Sequence, residues 1–323
     1  MDYPIRFTPF LRPMVWGGRR LADALGKSLP TAEPYGESWE ISDHPVHDSV
    51  VASGPLKGRT LRDLMASERT ALLGPSANQA VFPLLVKFLD ACDRLSVQVH
   101  PDDDKAPRLW PGEGGKTEAW FVLAAARGSH IYAGLQPGVG ERELRAALQA
   151  GTVSRCLHQF EPRAGDCVFL PAGTVHAVGG GVLLVEVQQT SDATLRLFDW
   201  NRRDAQGKAR TLHIEEGLAC IKWDSGPVEP VRVPWPANTR HRQVLVHCPF
   251  FELDFIRDGA SFAIGGRGHA QILSVLAGSA RLTSPAGEES LAVGRTWLLP
   301  AAMPTIEVRP ISALAILLCT VPV

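Results

Sequence analysis

A glycine that precedes a Pro-Ala pair by six residues occurs twice, and this repeat constrains the fold more than any other feature of the chain. The first copy is AGDCVFLPAGTVHAV (164–178), and the second is VGRTWLLPAAMPTIEV (293–308). Upstream of them, EAWFVLAAARGS (118–129) resembles QILSVLAGSARL (271–282). Apolar runs punctuated by Gly and Pro are typical of strands joined by turns. The sequence therefore predicts two related halves built on β-strand pairs.

The spread of 30 glycines and 25 prolines over 323 residues also favours many short strands. Helical spacing is confined to 56–74, where Thr60 is an N-cap candidate, 138–154 and 211–223. The proline-rich segment 224–239 cannot continue a helix or a central strand. We therefore expect a mainly β chain of two domains. They are residues 1–225, which contain the inserted helices, and 240–323, with a linker at about 226–239.

Charge and composition exclude several classes of partner. With 33 basic and 34 acidic residues, the net charge of -1 gives no steering toward nucleic acid or an anionic membrane. The N-terminus lacks the pattern of a signal peptide, and no stretch approaches the ~18 apolar residues of a membrane span. A cytoplasmic protein is expected. Six cysteines without a C-x-x-C spacing argue against both a disulfide framework and a thiolate zinc site.

The segment from Gly165 to His176 fits G-x5-P-x-G-x-x-H. It resembles the second signature of the cupin superfamily of small β-barrels, in which the terminal histidine binds a metal. In RLSVQVHP (94–101), Gln98 and His100 share one strand face, and Glu118 begins another apolar strand. Two imidazoles, a carboxylate and an amide oxygen suit Zn²⁺ or another first-row divalent ion. The alternative is a surface histidine at a turn, without metal.

Further segments make the resemblance specific. SVQVHPDD, GKTEAW, PAGTVHAVGGG, QQTSDATLRLFDWNR, VWGG and GESWEIS resemble type I phosphomannose isomerases in their short bacterial form. The resemblance implies two cupin-type β-barrel or jelly-roll domains, the second of them degenerate. It also implies an aldose–ketose isomerase that interconverts mannose 6-phosphate and fructose 6-phosphate through an enediol. One Zn²⁺ per chain would be bound by Gln98, His100, Glu118 and His176.

The same resemblance marks Lys116, Asp192 and Arg196 as active-site residues, with Lys87 as a fourth. Zinc and Lys116 could stabilise the oxyanion that develops in an enediol reaction. Thr194, Arg196 and Phe198 share one face of their strand segment, so Arg196 can project into a barrel interior. There it could supply the cationic anchor that a phosphate dianion needs. Asp192 could orient the Arg196 guanidinium or transfer a proton.

The proton-transfer base is left open by the sequence. Longer family members carry a His-Lys-Pro-Glu run where this chain has Gly115-Lys116-Thr117-Glu118. The candidates here are Lys116, Asp192, Glu186 and a metal-bound water.

Ser96, Lys87 and Glu186 are further candidates for contact with the substrate. Ser96 and Lys87 have simpler structural explanations, and Glu186 is proposed from strand alternation alone. Ser96 could bind the phosphate or the sugar, or only bond a neighbouring backbone group. Lys87 could contact substrate or only extend from an edge of its apolar run. Glu186 and Gln188 alternate on one strand face and are expected to line the cavity. The other eight histidines, His213 among them, lack ligand spacing and are assigned no role.

Two other functions compete with the isomerase. A cupin-type Fe²⁺ oxygenase also needs an inward metal, but Gln98 stands where such sites usually keep a histidine. A non-catalytic cupin that binds a sugar phosphate would show saturable binding without turnover. The sequence has no DNA-binding module that would suit a sensor of this kind.

Overall fold

Strands dominate the computed structural model, which describes residues 1–203, 206–235 and 240–322. The prediction of a mainly β chain is confirmed. The strands within the described residues are β1 Phe10–Gly18, β2 Tyr35–Ile41, β3 Asp43–His44, β4 His47–Asp48, β5 Leu84–Ala91, β6 Val97–Val99, β7 Glu118–Ala125, β8 Ile131–Leu135, β9 Leu157–Phe160, β10 Asp166–Leu170, β11 His176–Val178, β12 Val182–Gln189, β13 Leu195–Phe198, β14 Val231–Arg232, β15 His241–His247, β16 Glu252–Asp258, β17 Phe262–Ile264, β18 Gln271–Ala277, β19 Ser279–Ser284, β20 Gly287–Ala292, β21 Thr296–Leu299, β22 Ile306–Pro310 and β23 Leu314–Thr320.

Helices are few and short. They are α1 Arg20–Asp23, α2 Leu61–Leu73, α3 Ala106–Leu109, α4 Glu141–Ala150 and α5 Ile214–Cys220, with 3₁₀ turns at Gly74–Ser76 and Val153–Cys156. The three predicted helical segments contain α2, α4 and α5, whereas the four-residue α1 and α3 are too short to show a period. None of these helices, in the part of the chain that the structure describes, has the length and apolar character that crossing a membrane requires.

Helix α2 begins where its sequence predicts. The Asp63 amide donates to Thr60 Oγ1 at 3.1 Å, and the Thr60 amide donates to Asp63 Oδ2 at 3.0 Å. This reciprocal capping box satisfies amides that have no partner within the first turn. Helix α4 ends at Gly151, whose φ of 69° is left-handed and favours glycine at that position.

The chain divides into two compact units. The first unit comprises residues 1–14, 19–88 and 233–323, and the second unit comprises residues 15–18 and 89–232. This division differs from the predicted domains 1–225 and 240–323, since the first unit combines early and late segments of the chain. The domain boundaries themselves stay a prediction. Of the predicted linker, residues 236–239 lie outside the described residues.

Two sheets form the second unit. One contains β12, β7, β10 and β14 side by side, and the other has the order β13-β6-β11-β8-β9. No sheet closes into a barrel within residues 1–203, 206–235 and 240–322. Residues directly opposite in antiparallel strands share a face. Each sheet can therefore present a row of side chains from several strands.

An apolar cluster covers one face of the five-stranded sheet of the second unit. It includes Val97 and Val99 of β6 and Leu195, Leu197 and Phe198 of β13. The pairing of β13 with β6 shifts register between Arg196 and Phe198, as in a β-bulge. Because of this irregularity Phe198 packs in the apolar cluster, and the expectation that it shares a face with Arg196 is wrong.

We expect Leu197→Ala to lower the free energy of unfolding by about 2–5 kcal/mol, because Leu197 is fully buried and its removal leaves a cavity. Chemical denaturation would measure the change. The matched control is Leu212→Ala, since Leu212 is 40% exposed. That control should change stability by no more than about 0.5 kcal/mol. Equal effects of the two substitutions would contradict the assigned core.

The first unit contains two further sheets, with the orders β15-β16-β23-β18-β21 and β17-β22-β19-β20. Its strand pairing repeats that of the second unit. Glu118 of β7 lies opposite Leu170 of β10 and Gln188 of β12. At the matching place Gln271 of β18 lies opposite Leu299 of β21 and Thr320 of β23. The sequence repeat therefore corresponds to a repeated strand register in which Gln271 takes the position of Glu118.

Candidate functional site

Three neighbouring strands of the five-stranded sheet in the second unit bring polar side chains into one row. Gln98 of β6 lies opposite His176 of β11 on one side and opposite Arg196 of β13 on the other. His100 follows Gln98 by two residues and is 1% exposed. Because Val97 and Val99 fill the apolar face, this alternation directs Gln98 and His100 to the opposite face. The predicted polar face of RLSVQVHP is thereby explained.

The other sheet of the second unit supplies carboxylates. Glu118 stands at the start of β7, and Glu186 of β12 lies opposite Trp120. Both carboxylates are buried. The Trp120 indole N–H donates to Glu186 Oε2 at 2.9 Å, which fixes one oxygen of that carboxylate. Lys116 lies just before β7 and is also buried.

His100, Glu118 and His176 converge between the two sheets. His176 Nε2 lies 3.3 Å from Glu118 Oε1, and His100 Nε2 lies 3.5 Å from Glu118 Oε2. One ligand atom from each residue can be chosen so that all three lie within 4.8 Å of one another. Two nitrogens and an oxygen at such separations fit the coordination shell of one first-row divalent ion.

Both histidines are oriented by backbone carbonyls. His100 Nδ1 lies 2.7 Å from the Ala193 carbonyl oxygen, and His176 Nδ1 lies 2.9 Å from that of Thr174. A carbonyl oxygen only accepts, so each Nδ1 carries a proton, and Nε2 is the nitrogen of each ring that lies nearest Glu118. Burial lowers the pKa of His176 to about 4, which keeps its imidazole neutral near pH 7. Histidine ligands of metals are typically held in this way.

Gln98, the fourth ligand that the sequence predicted, lies beside His176. Its Nε2 lies 3.3 Å from His176 Nε2, so the amide donates to the imidazole in this orientation. Rotating the Gln98 amide by 180° about its last torsion exchanges the nitrogen and the oxygen. The amide oxygen, which can ligate a metal, then lies beside His176. The resulting set of two imidazoles, one carboxylate and one amide contains no thiolate. Such a set fits zinc and other first-row divalent ions.

Lys116 is the cation nearest to the carboxylate of this cluster. Its Nζ lies 2.7 Å from Glu118 Oε2, 3.1 Å from His100 Nε2 and 4.0 Å from Glu186 Oε1. A buried ammonium needs a carboxylate partner, and Glu118 is that partner for Lys116. The same ammonium can donate a hydrogen bond to an oxyanion that develops beside the cluster.

Arg196 is half-buried at the end of the polar row. Its Nε donates to Ser96 Oγ at 3.3 Å, and its Nη1 donates to the Thr211 carbonyl at 3.0 Å. Burial, together with the nearby charge of Arg210, lowers the pKa of Arg196. The structure therefore brings Ser96 and Arg196 together. A guanidinium and a hydroxyl side by side can both donate hydrogen bonds to an anion.

The structure places the remaining predicted residues less directly. The Asp192 amide donates to Glu113 Oε2 at 3.0 Å. Lys87 belongs to the first unit and is buried, with its Nζ 5.1 Å from the centre of the Trp39 ring. That burial does not fit a lysine extending from an edge into solvent. The roles of Asp192 and Lys87 stay predictions.

His213 is a structural partner of the site that sequence reasoning missed. Its Nδ1 accepts from the Arg196 amide at 3.2 Å, and its own amide donates to the Arg196 carbonyl at 2.8 Å. His213 therefore holds the backbone of the anion-anchoring residue. The only local signal was its place at the start of the predicted helical segment 211–223.

Comparison with known proteins gives consistent matches. Residues 5–132 match the family model described as phosphomannose isomerase type I, catalytic domain. The mannose-6-phosphate isomerase of Streptococcus mutans is 38% identical over 93% of this chain and 93% of its own. ManA of Bacillus subtilis, also named a mannose-6-phosphate isomerase, is 34% identical over 92% and 93%. A crystal structure of mannose 6-phosphate isomerase from Bacillus subtilis superposes with a TM-score of 0.89 at 30% identity, covering 98% of this chain and 99% of that one.

Proposed function

The chain belongs to the type I mannose-6-phosphate isomerase family, and from this we propose that it interconverts mannose 6-phosphate and fructose 6-phosphate. The observation that carries the proposal is the convergence of His100, Glu118 and His176, with Lys116 beside them. An aldose–ketose interconversion needs a cation at the developing oxyanion, a proton carrier and an anchor for the phosphate. Residues of the second unit can meet all three needs.

We propose one Zn²⁺ per chain, held by Gln98, His100, Glu118 and His176. The two imidazoles and the carboxylate support this ligand set, because one ligand atom from each lies within 4.8 Å of the others. A bound zinc ion would supply Lewis-acid polarisation of the sugar oxygens. The Ala193 and Thr174 carbonyls would hold the two imidazoles in the ligating tautomer.

The reaction moves a proton between C1 and C2 of the sugar through an enediol. Lys116 Nζ would donate a hydrogen bond to the oxygen that gains charge when the proton leaves carbon. The candidates for moving that proton stay Lys116, Asp192, Glu186 and a metal-bound water. The position of Glu186 supports it, since its Oε1 lies 4.0 Å from Lys116 Nζ beside the ligand set. Trp120 would keep the Glu186 carboxylate oriented through its indole N–H.

Arg196 and Ser96 would anchor the phosphate of the substrate. A guanidinium binds a phosphate dianion through paired N–H donors, and Ser96 keeps the Arg196 side chain in place. Lys87 would be a further substrate contact, as the family resemblance implies.

The fold proposed for residues 1–225 is a cupin-type jelly roll with inserted helices, and for residues 240–323 a degenerate copy. The facing sheets of the second unit support the first assignment. The repeated register at Gln271 supports the second assignment, because a related strand arrangement recurs without the ligand side chains.

A coupled assay with mannose 6-phosphate, before and after chelation, tests substrate, reaction and metal together. We expect turnover that chelation abolishes and that Zn²⁺ restores, with unphosphorylated mannose a far poorer substrate. Stoichiometric iron with O₂-dependent activity would instead indicate the oxygenase. Saturable sugar-phosphate binding without turnover would indicate the non-catalytic cupin.

A further inference from the structure

A cavity of about 430 Å³ lies within the first unit, in a part of the molecule that the proposed reaction does not use. Three segments of the chain line it, namely 6–9 with Leu11, 25–28 and 292–296, together with Glu40. Cavities of this size commonly hold small molecules. One wall of the cavity forms where the Gly294 backbone lies close to the backbone of Leu25. The φ of Gly294 is 75°, and a Cβ there would lie 2.4 Å from the Leu25 carbonyl oxygen, so only glycine fits.

The lining of this cavity carries an excess of positive charge. Its charged residues are Arg6, Lys27 and Arg295 against the single carboxylate of Glu40. Lys27 Nζ lies 2.6 Å from Glu40 Oε1, and both side chains are almost fully buried. The Ser38 hydroxyl donates to the same Glu40 oxygen at 2.6 Å. This internal pair leaves the two guanidinium groups as the uncompensated charges of the lining.

Arg6 lacks a partner for a buried donor. Its Nε is inaccessible to solvent, and no hydrogen-bond acceptor reaches it within the described residues. A buried charged donor without an acceptor is unfavourable, so such groups are normally paired. The Arg6 guanidinium therefore keeps hydrogen-bonding capacity that the described residues do not use.

The charges around the cavity act on one another. Burial lowers the pKa of Lys27, and the nearby charges of Arg295 and Arg6 lower it further, while Glu40 opposes them. The two arginines therefore lie close enough to Lys27 for their fields to add within this cavity. Thr8 and Ser28 also line it, and their hydroxyls can donate to an oxyanion.

We propose that this cavity is a binding site for a small dianion of the phosphate class, with Arg6 and Arg295 as its charge partners. Guanidinium groups recognise phosphate oxygens through paired N–H donors, whereas a monovalent halide offers no such geometry. Lys27, held by Glu40, would form the back of the site and add hydrogen-bond capacity. The volume also accommodates a phosphate ester of a small organic molecule.

Titration of the full chain with inorganic phosphate at constant ionic strength, followed by calorimetry, tests the site. Arg196→Gln protein serves as the background, because it removes the phosphate anchor proposed for the reaction. In that background, Arg6→Gln and Arg295→Gln together should weaken phosphate binding about tenfold or more. Arg281→Gln, an exposed arginine of the same unit, is the matched control and should leave the affinity within about twofold.

A second measurement covers the case in which the double variant folds poorly. Phenylglyoxal modification of the Arg196→Gln chain, read by mass spectrometry, should be slowed by phosphate at Arg6 and Arg295 but not at Arg281. Unchanged modification at both arginines would overturn the proposal. Equal binding of phosphate and chloride, or equal loss in the Arg281 control, would also overturn it. Every protein in these experiments carries Arg196→Gln. A negative result would therefore count against the phosphate site in this cavity and not against the proposed isomerase activity.

Discussion

Glu118→Ala protein is expected to lose bound metal and isomerase activity together. Glu118 supplies the only carboxylate within 4.8 Å of the two histidine ligand atoms in the described cluster. Without it, the ion keeps two neutral imidazoles and an amide, and its positive charge lies uncompensated in a buried site. We expect at least about a hundredfold loss of both metal affinity and turnover. Even the mutation of a residue that only hydrogen-bonds to a metal ligand typically lowers affinity or activity about 10–100-fold. Metal content by mass spectrometry and the coupled assay would be measured on the same preparation.

The repeated register offers a matched control for this substitution. Gln271 lies at the position of Glu118 in the first unit, between Leu299 and Thr320. Gln271→Ala should leave the metal content unchanged, even where it lowers thermal stability through lost bonds to Gly265 and Thr320. Full metal content in folded Glu118→Ala protein would contradict the proposed ligand set.

Arg196→Ala is expected to keep its metal and lose turnover. The guanidinium contacts Ser96 and the Thr211 carbonyl, and no contact with His100, Glu118 or His176 is among its hydrogen bonds in the described residues. Its removal should lower kcat/KM about 10²–10³-fold, since a charged anchor that positions a phosphate also positions the reacting carbons. Arg196→Lys should recover only part of this loss, because lysine offers a point charge without the paired donors.

Two comparisons separate this role from a structural one. Arg142→Ala removes an arginine that is 93% exposed, and it should leave both metal and turnover unchanged. A thermal unfolding curve of Arg196→Ala detects any loss that comes from the Thr211 contact. Normal turnover in Arg196→Ala, or equal loss with phosphorylated and unphosphorylated sugar, would refute the phosphate anchor.

Local patterns of the sequence predicted much of the site. Alternation along a strand has a period of two, so the shared face of Gln98 and His100 could be predicted from eight letters. The start of α2 follows from the chemistry of Thr60 and Asp63 alone. The terminal histidine of the G-x5-P-x-G-x-x-H segment, His176, is the first residue of β11 and lies in the cluster.

Features that depend on distant parts of the chain could not be predicted. His100 and the Ala193 carbonyl are 93 residues apart, and nothing in either segment encodes their meeting. The same holds for His213, which binds the backbone of Arg196 from 17 residues away. The register shift in β13 also escaped, because an inserted residue changes the face of Phe198 without any glycine or proline to mark it. The first unit combines early and late segments of the chain, and this too depends on contacts between distant residues that no local pattern indicates.

The recurrence of one register in both units has a consequence for how such a chain tolerates change. The strand pairings around Gln271 persist although the acidic side chain at that place is gone. Backbone hydrogen bonds and apolar neighbours therefore carry the architecture, and the chemical groups are a separable addition to it. A molecule organised in this way can exchange its reactive side chains freely, whereas a single proline in β18 or β7 would disrupt the framework on which they stand.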